Sequence, residues 1–181
     1  MVSFDVSGTR GPWVIFGPKD SKEFRRQVGA LEGKGGRVYD FQARDLLREG
    51  DIFRTFAEKL KFPNYFGWNW DAMVDCLDDL CLEITGGVGM VGVINDAELL
   101  IDSEDLELFI SVLCQGAARA NSEVDLDGDP LDRPAIAQHF IFLSKDFDAV
   151  EFASRVENPD LTFVVDGEFV TATLNPEVWF S

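Results

Sequence analysis

Histidine is almost missing from this 181-residue chain, which has one, His139, set in the apolar run QHFIFLS. A lone histidine rules out a metal site built from a histidine pair, and no HExxH, GxSxG or CxxC pattern occurs. Cysteine is scarce as well. Cys76, Cys81 and Cys114 are odd in number and match no zinc spacing, so neither a disulfide framework nor a zinc finger is indicated. No apolar run approaches the ~20 residues that span a bilayer. The opening MVSFDVSGTRGPW lacks the apolar segment of a signal peptide, so a cytoplasmic location with reduced thiols is expected. Cations are few: 16 Lys and Arg stand against 33 Asp and Glu, a net charge of -17. Phosphate would be repelled, which argues against nucleic acid or an anionic membrane as partner; the charge is compatible with a basic partner, and solubility alone is the plain reading.

What the chain does have is apolar material, 46% of its residues, enough for a packed core. WVIF (13–16) reads as a buried strand, and RVYDFQ (37–42), GMVGVIN (89–95) and QHFIFLS (138–144) read as further strands. Between them the spacing predicts helices. One is capped by Asp20 or Ser21 and ends at the glycines of GKGG (33–36). A second runs from Asp51 to Pro63, a third from Asn69 to about Leu82, and a fourth starts at Ser103. Strands alternating with helices predict a parallel sheet with right-handed crossovers. After an acidic loop at 121–135, a short helix over 147–156 is predicted. Two β-rich runs around Asp166-Gly167 then signal a hairpin.

Two stretches resemble ligand loops and fail on inspection. GALEGKGG (29–36) has three residues between its glycines where a phosphate loop needs four, and Gly35 stands in place of the metal-binding hydroxyl. DLDGDP (125–130) has calcium-loop spacing, but Pro130 and Ile136 stand where Gly and Glu are needed. No catalytic residue, metal or cofactor is indicated.

FPNYFGWNWDAMVDC (62–76) is the unusual stretch. Four aromatics occupy six positions, Tyr65, Phe66, Trp68 and Trp70, and acids follow. Asn69 suits an N-cap, and Gly67 suits a sharp turn into the helix. Trp70, Met73, Val74, Leu77, Leu80 and Cys81 form a core stripe. Asp71, Asp75 and Asp78 form another stripe, with Asp79 beside it. Like charges at i,i+4 cost roughly 0.2–0.5 kcal/mol each, so the stripe weakens the isolated fold. A solvated face is the plain reading. Yet no Lys or Arg occurs from Trp68 to Ala118, and a cationic partner would turn that repulsion into attraction. Tyr65, Phe66 and Trp68 crowd one turn, and aromatics framing charges are the usual anchors of protein interfaces.

The run F-P-x-Y-F-G-x-N-W-D-A-x-x-D-C-L, from Phe62 to Leu77, resembles the barstar family of intracellular ribonuclease inhibitors. Pro63, Tyr65, Phe66, Gly67, Asn69, Asp71, Ala72, Asp75 and Leu77 fit its pattern, and the resemblance covers about residues 36–144. It implies a small parallel β-sheet packed with helices, and a motif helix and loop that plug the active site of a basic, barnase-like ribonuclease. By position, Tyr65 would pack on the enzyme's catalytic region and Asn69 would touch its rim. Asp71 and Asp75 would meet the cations that hold RNA phosphate, with Asp75 the central anchor. Phe66, Gly67, Trp68, Val74, Asp78 and Asp79 complete the expected contact surface. Val74 stands where the family's best-known member has an aromatic, and Gln115 stands where that member has a carboxylate facing the enzyme.

The expected organisation is α/β: an N-terminal β-α extension (1–35), a barstar-like domain (36–144), and a C-terminal helix and hairpin extension (145–181) packed on the same domain. The expected function is inhibition of a basic ribonuclease. The alternatives are a non-inhibitory module that binds another basic protein, and an enzyme using the clustered aspartates with a divalent metal. Oligomeric state is open.

Overall fold

Val14, Ile15 and Phe16 can all be buried only in a strand covered on both faces, and that is where they lie. The computed structural model describes residues 2–180. Its first strand, β1 (Val14–Pro18), is followed by helix α1 (Lys22–Gly33), whose Ser21 side chain accepts from the Phe24 amide at 3.2 Å. Strand β2 (Arg37–Gln42) leads through a 3-10 turn to α2 (Glu49–Lys59). Helices α3 (Trp70–Asp78) and α4 (Leu82–Thr85) precede β3 (Gly89–Asn95). Then come α5 (Leu106–Ala120), β4 (Ala137–Ser144), α6 (Ala149–Arg155), the hairpin β5 (Leu161–Asp166) and β6 (Phe169–Leu174), and α7 (Pro176–Trp179).

The six strands form one sheet in the order β2-β3-β4-β1-β6-β5. Neighbours among β2, β3, β4 and β1 are parallel, whereas β6 lies antiparallel to both β1 and β5. The parallel sheet expected from the alternation is therefore extended by an antiparallel pair. Segments from both ends of the chain close it: β1 sits between β4 and β6, so residues before 35 and after 145 share the central hydrogen bonding.

Alternation along each strand sorts side chains to two layers. Val14, Phe16, Met90, Ile94, Phe140, Phe142, Val170 and Ala172 face α2, α3, α5 and α6. Ile15, Val91, Val93, Ile141 and Phe169 face α1 and the N-terminal segment, where Phe4, Phe24 and Leu31 cover them.

Several boundaries differ from expectation. Helix α2 begins two residues before Asp51 and stops at Lys59, because Lys61 turns left-handed at φ 52° and breaks the chain before Pro63. The helix expected from Asn69 to Leu82 is two helices. Asp79, at φ -113° and ψ 40°, leaves helical geometry, so Leu80 is only half-buried and Cys81 is exposed, off the core stripe. The hairpin loop is Gly167-Glu168 rather than Asp166-Gly167: Asp166 pairs with Phe169, and Gly167 takes φ 62°.

His139 is wholly buried, and its Nε2 donates to the Arg10 carbonyl at 3.1 Å. Burial disfavours the imidazolium and pushes the pKa below its ordinary 6.5, while the Arg10 carbonyl offsets this in part. The unfolded chain then binds more protons than the folded one below about pH 6.5, so this residue's contribution is intact above that pH and is lost as pH falls through it. Urea unfolding at about pH 7.5 and 5.5 should show wild type losing more stability at the lower pH than His139→Gln does. Equal slopes in the two proteins would mean the buried imidazole is not held neutral.

The two helices that carry the acidic stretch and its neighbour meet at Gly116 of α5. A Cβ there would lie 2.6 Å from Leu77 Cβ. Gly116→Ala should therefore cost about 1–3 kcal/mol, read as a lower urea midpoint at unchanged slope. An unchanged midpoint would show that the helices separate freely.

Candidate functional site

The stage for the motif is α3, only nine residues long. Its Asn69 cap accepts from the Ala72 amide at 2.9 Å and donates through Nδ2 to the Gly67 carbonyl at 3.1 Å, tying loop and helix together. Met73, Val74 and Leu77 are buried on the core side, and Trp70 packs edge-on against Phe53 with ring centroids 4.8 Å apart. At about 100° per residue, Asp71 and Asp75 share the opposite, outward face, and Asp79 follows them at the C-cap. All three are exposed.

Two expected contact residues are core residues instead. Val74 is 3% exposed and Phe66 is 4% exposed. Val74 falls about 40° from Trp70 around the helix, on the core side, so its side chain cannot face a partner. Phe66 plugs the loop into the core, edge-on to Phe53 and Phe62. That anchoring pushes its neighbours outward: Tyr65 is 79% exposed and Trp68 is 58% exposed. Trp68, not Gly67, takes the left-handed backbone, at φ 53°. A Cβ at Gly67 would stand 3.1 Å from Asn69 Nδ2, close enough that the capping side chain would have to shift. Tyr65 also borders a cavity of about 130 Å³ lined by Leu60, Pro63, Cys76, Asp79 and Cys81.

The acidic stripe has cations of its own, and they come from far along the chain. Arg119, in the last turn of α5, donates from Nη1 to Asp75 Oδ1 at 2.9 Å. Arg133, from the loop before β4, pairs with Asp78 and donates to the carbonyls of Arg119 and Ala120 at 3.2 Å each. Arg133 thus binds the C-terminal end of α5 to α3. Buried Gln138 adds a second tie, donating to the Leu77 carbonyl at 2.7 Å. Asp78 is half-buried, and this raises its pKa; Arg133 and Arg119 pull the other way. Burial likewise raises the Cys76 thiol, with the charges of Asp75 and Asp79 adding to the shift. Gln115 bonds along its own helix to Ser111 Oγ at 3.2 Å.

The structure therefore brings Asp71, Asp75 and Asp79 together, with the Tyr65 loop on one flank and α5 on the other. It assigns Asp78 to the α3–α5 contact. The two arginines were missed because periodicity sees only local neighbours. The signal available was Arg119 itself, the one charge that ends an otherwise apolar run on α5. Among the described residues, no group of three or more His, Cys, Asp and Glu is placed to hold a metal ion. No described helix is long and apolar enough to cross a membrane.

Asn69→Ala removes both loop hydrogen bonds. It should cost about 1 kcal/mol in thermal unfolding and change the emission of Trp68. Unaltered stability would show that the loop is positioned by Phe66 alone.

A sequence model of one protein family, described as Barstar (barnase inhibitor), matches residues 37–128, just over half of the chain. Comparison with curated proteins and with solved structures gave no match.

Proposed function

Since the chain belongs to the barstar family, we propose that it is an intracellular inhibitor of a basic ribonuclease. The outward face of α3 and the Tyr65–Trp68 loop would enter the enzyme's active site. The observation that carries this reading is the sharing of one exposed face by Asp71 and Asp75, followed by Asp79 at the C-cap, beside exposed Tyr65 and Trp68. Carboxylates held at helical spacing offer a ribonuclease's phosphate-binding arginines and lysines the charge that RNA normally supplies. The aromatic rings offer flat surfaces where bases would stack. A chain of net charge -17 is also drawn toward a basic enzyme before contact. We further propose that residues 36–144 are the binding unit and that residues 1–35 and 145–181 complete its sheet.

Asp75 is the central anchor in this reading, Asp71 a second contact and Asp79 a rim group. Inhibition assays against a panel of basic ribonucleases that includes barnase identify a target, and calorimetry then measures each variant. Asp75→Ala should leave the melting temperature nearly unchanged, because the pair it removes is solvent-exposed. It should weaken binding by about 3 kcal/mol, since the enzyme's cations would be desolvated without a counter-charge. Asp71→Ala should cost less. An Asp75→Ala protein that melts normally and binds a confirmed target like wild type would overturn this assignment.

A further inference from the structure

Asp75 is already engaged. Its side chain is 75% exposed, while that of the Arg119 that reaches it is 36% exposed, so the acid is largely open to solvent and is held by the protein at one oxygen. The Asp75 bond is the one hydrogen bond that the Arg119 side chain makes among the described residues. Arg133 differs, being fixed to three carbonyls and Asp78. Arg119 also has a second carboxylate within its field: Asp78 is three residues on from Asp75, and Arg119 contributes to holding its charge. A single-bonded, partly exposed guanidinium between two acids can change partners without breaking any other contact.

We propose that Arg119 is a resident cation that occupies on Asp75 the place a partner's arginine or lysine takes, and that it moves toward Asp78 when the partner docks. This rests on the reading above that partner cations land on the outward face of α3. Its consequence is selectivity. Replacing one guanidinium on Asp75 by another gains little, so an isolated basic side chain is not retained. A partner gains when it presents at least two cations about one helical turn apart, reaching Asp71 and Asp75 together. Arg119 thereby discriminates a clustered cationic surface from the scattered charge of ordinary basic proteins.

The test compares wild type, Arg119→Gln, Asp75→Asn and the double variant by calorimetry, with two probes: a hexa-arginine peptide and barnase. Arg119→Gln should bind the peptide about fivefold more tightly, the scale of one exposed ion pair. The gain should disappear in the Asp75→Asn background. Arg26→Gln removes the same charge from α1, on the other side of the sheet, and should change peptide affinity by less than about twofold, since distant exposed charges are screened. Arg119→Met serves as a second variant and should behave as Arg119→Gln does. Peptide affinity that is unchanged or weaker in both variants, or that rises equally with Asp75→Asn present, overturns the proposal whatever barnase does. A coupled gain with the peptide, together with no binding of barnase or any other basic ribonuclease, leaves Arg119 in this role and overturns the inhibitor reading.

Discussion

Leu77 rests on Gly116, and the position of every charged group on the acidic face follows from that contact. Without a Cβ on α5 at this point, α3 can lie close enough for its C-terminal carbonyl at Leu77 to reach Gln138. The same closeness brings Asp75 to Arg119 and Asp78 to Arg133. A helix of nine residues has little stability alone. It persists because one side is sealed into the core by Met73, Val74 and Leu77. The outer side is then free to be chosen for something other than stability.

That freedom explains how the chain tolerates its charge. Asp71, Asp75 and Asp79 repel one another by only a few tenths of a kcal/mol per pair in solvent. Burial of the opposite side outweighs this many times over. Where an acid of α3 is drawn into the protein, at Asp78, a guanidinium meets it; where the acids remain in water, one, Asp75, has a loosely held cation and the others have solvent. The division follows desolvation. A half-buried carboxylate without a counter-charge would be costly, and an exposed one is not.

How much of this could be read from sequence depended on the range of each interaction. Strand β3 is legible with its full bounds because a strand buried on both faces is an apolar run that needs no distant information. Edge strand β2 is legible from its β-branched and aromatic residues between the glycines and the next helix, although only Phe41 of it is buried. The Asn69 cap and the core role of Met73 and Leu77 were likewise local. The end of α3 was not legible, since Leu80 and Cys81 continue the helical spacing while the backbone has already left it at Asp79. Neither Gly nor Pro marks that break. The resemblance puts Phe66 and Val74 in the contact surface, yet both are core, Val74 where its helical spacing already places it. Nothing local distinguishes a ring that anchors a loop from one the loop presents. Arg119 and Arg133 lay 44 and 55 positions from their acids, beyond any periodic argument.

In the proposed docking the loop and the helix would divide the work of recognition between them. Phe66 in the core, Gly67 against the Asn69 amide and the Asn69 cap hold the backbone on both sides of Trp68. Tyr65 and Trp68 then project from a fixed base, each with two side-chain torsions left to settle. Rigid aromatics of this kind lose little entropy on contact, so more of their buried area becomes affinity. The acids gain from the same arrangement in a different way. Their spacing is set by the helix, so cations that match it are met without rearrangement and cations that do not must bend to fit. In the proposed docking the rings and Asp75 would supply affinity, and the fixed spacing of the carboxylates would supply selectivity. Arg119 belongs to the second group, since a group that must be displaced removes binding energy from every ligand and spares those with charge to exceed it.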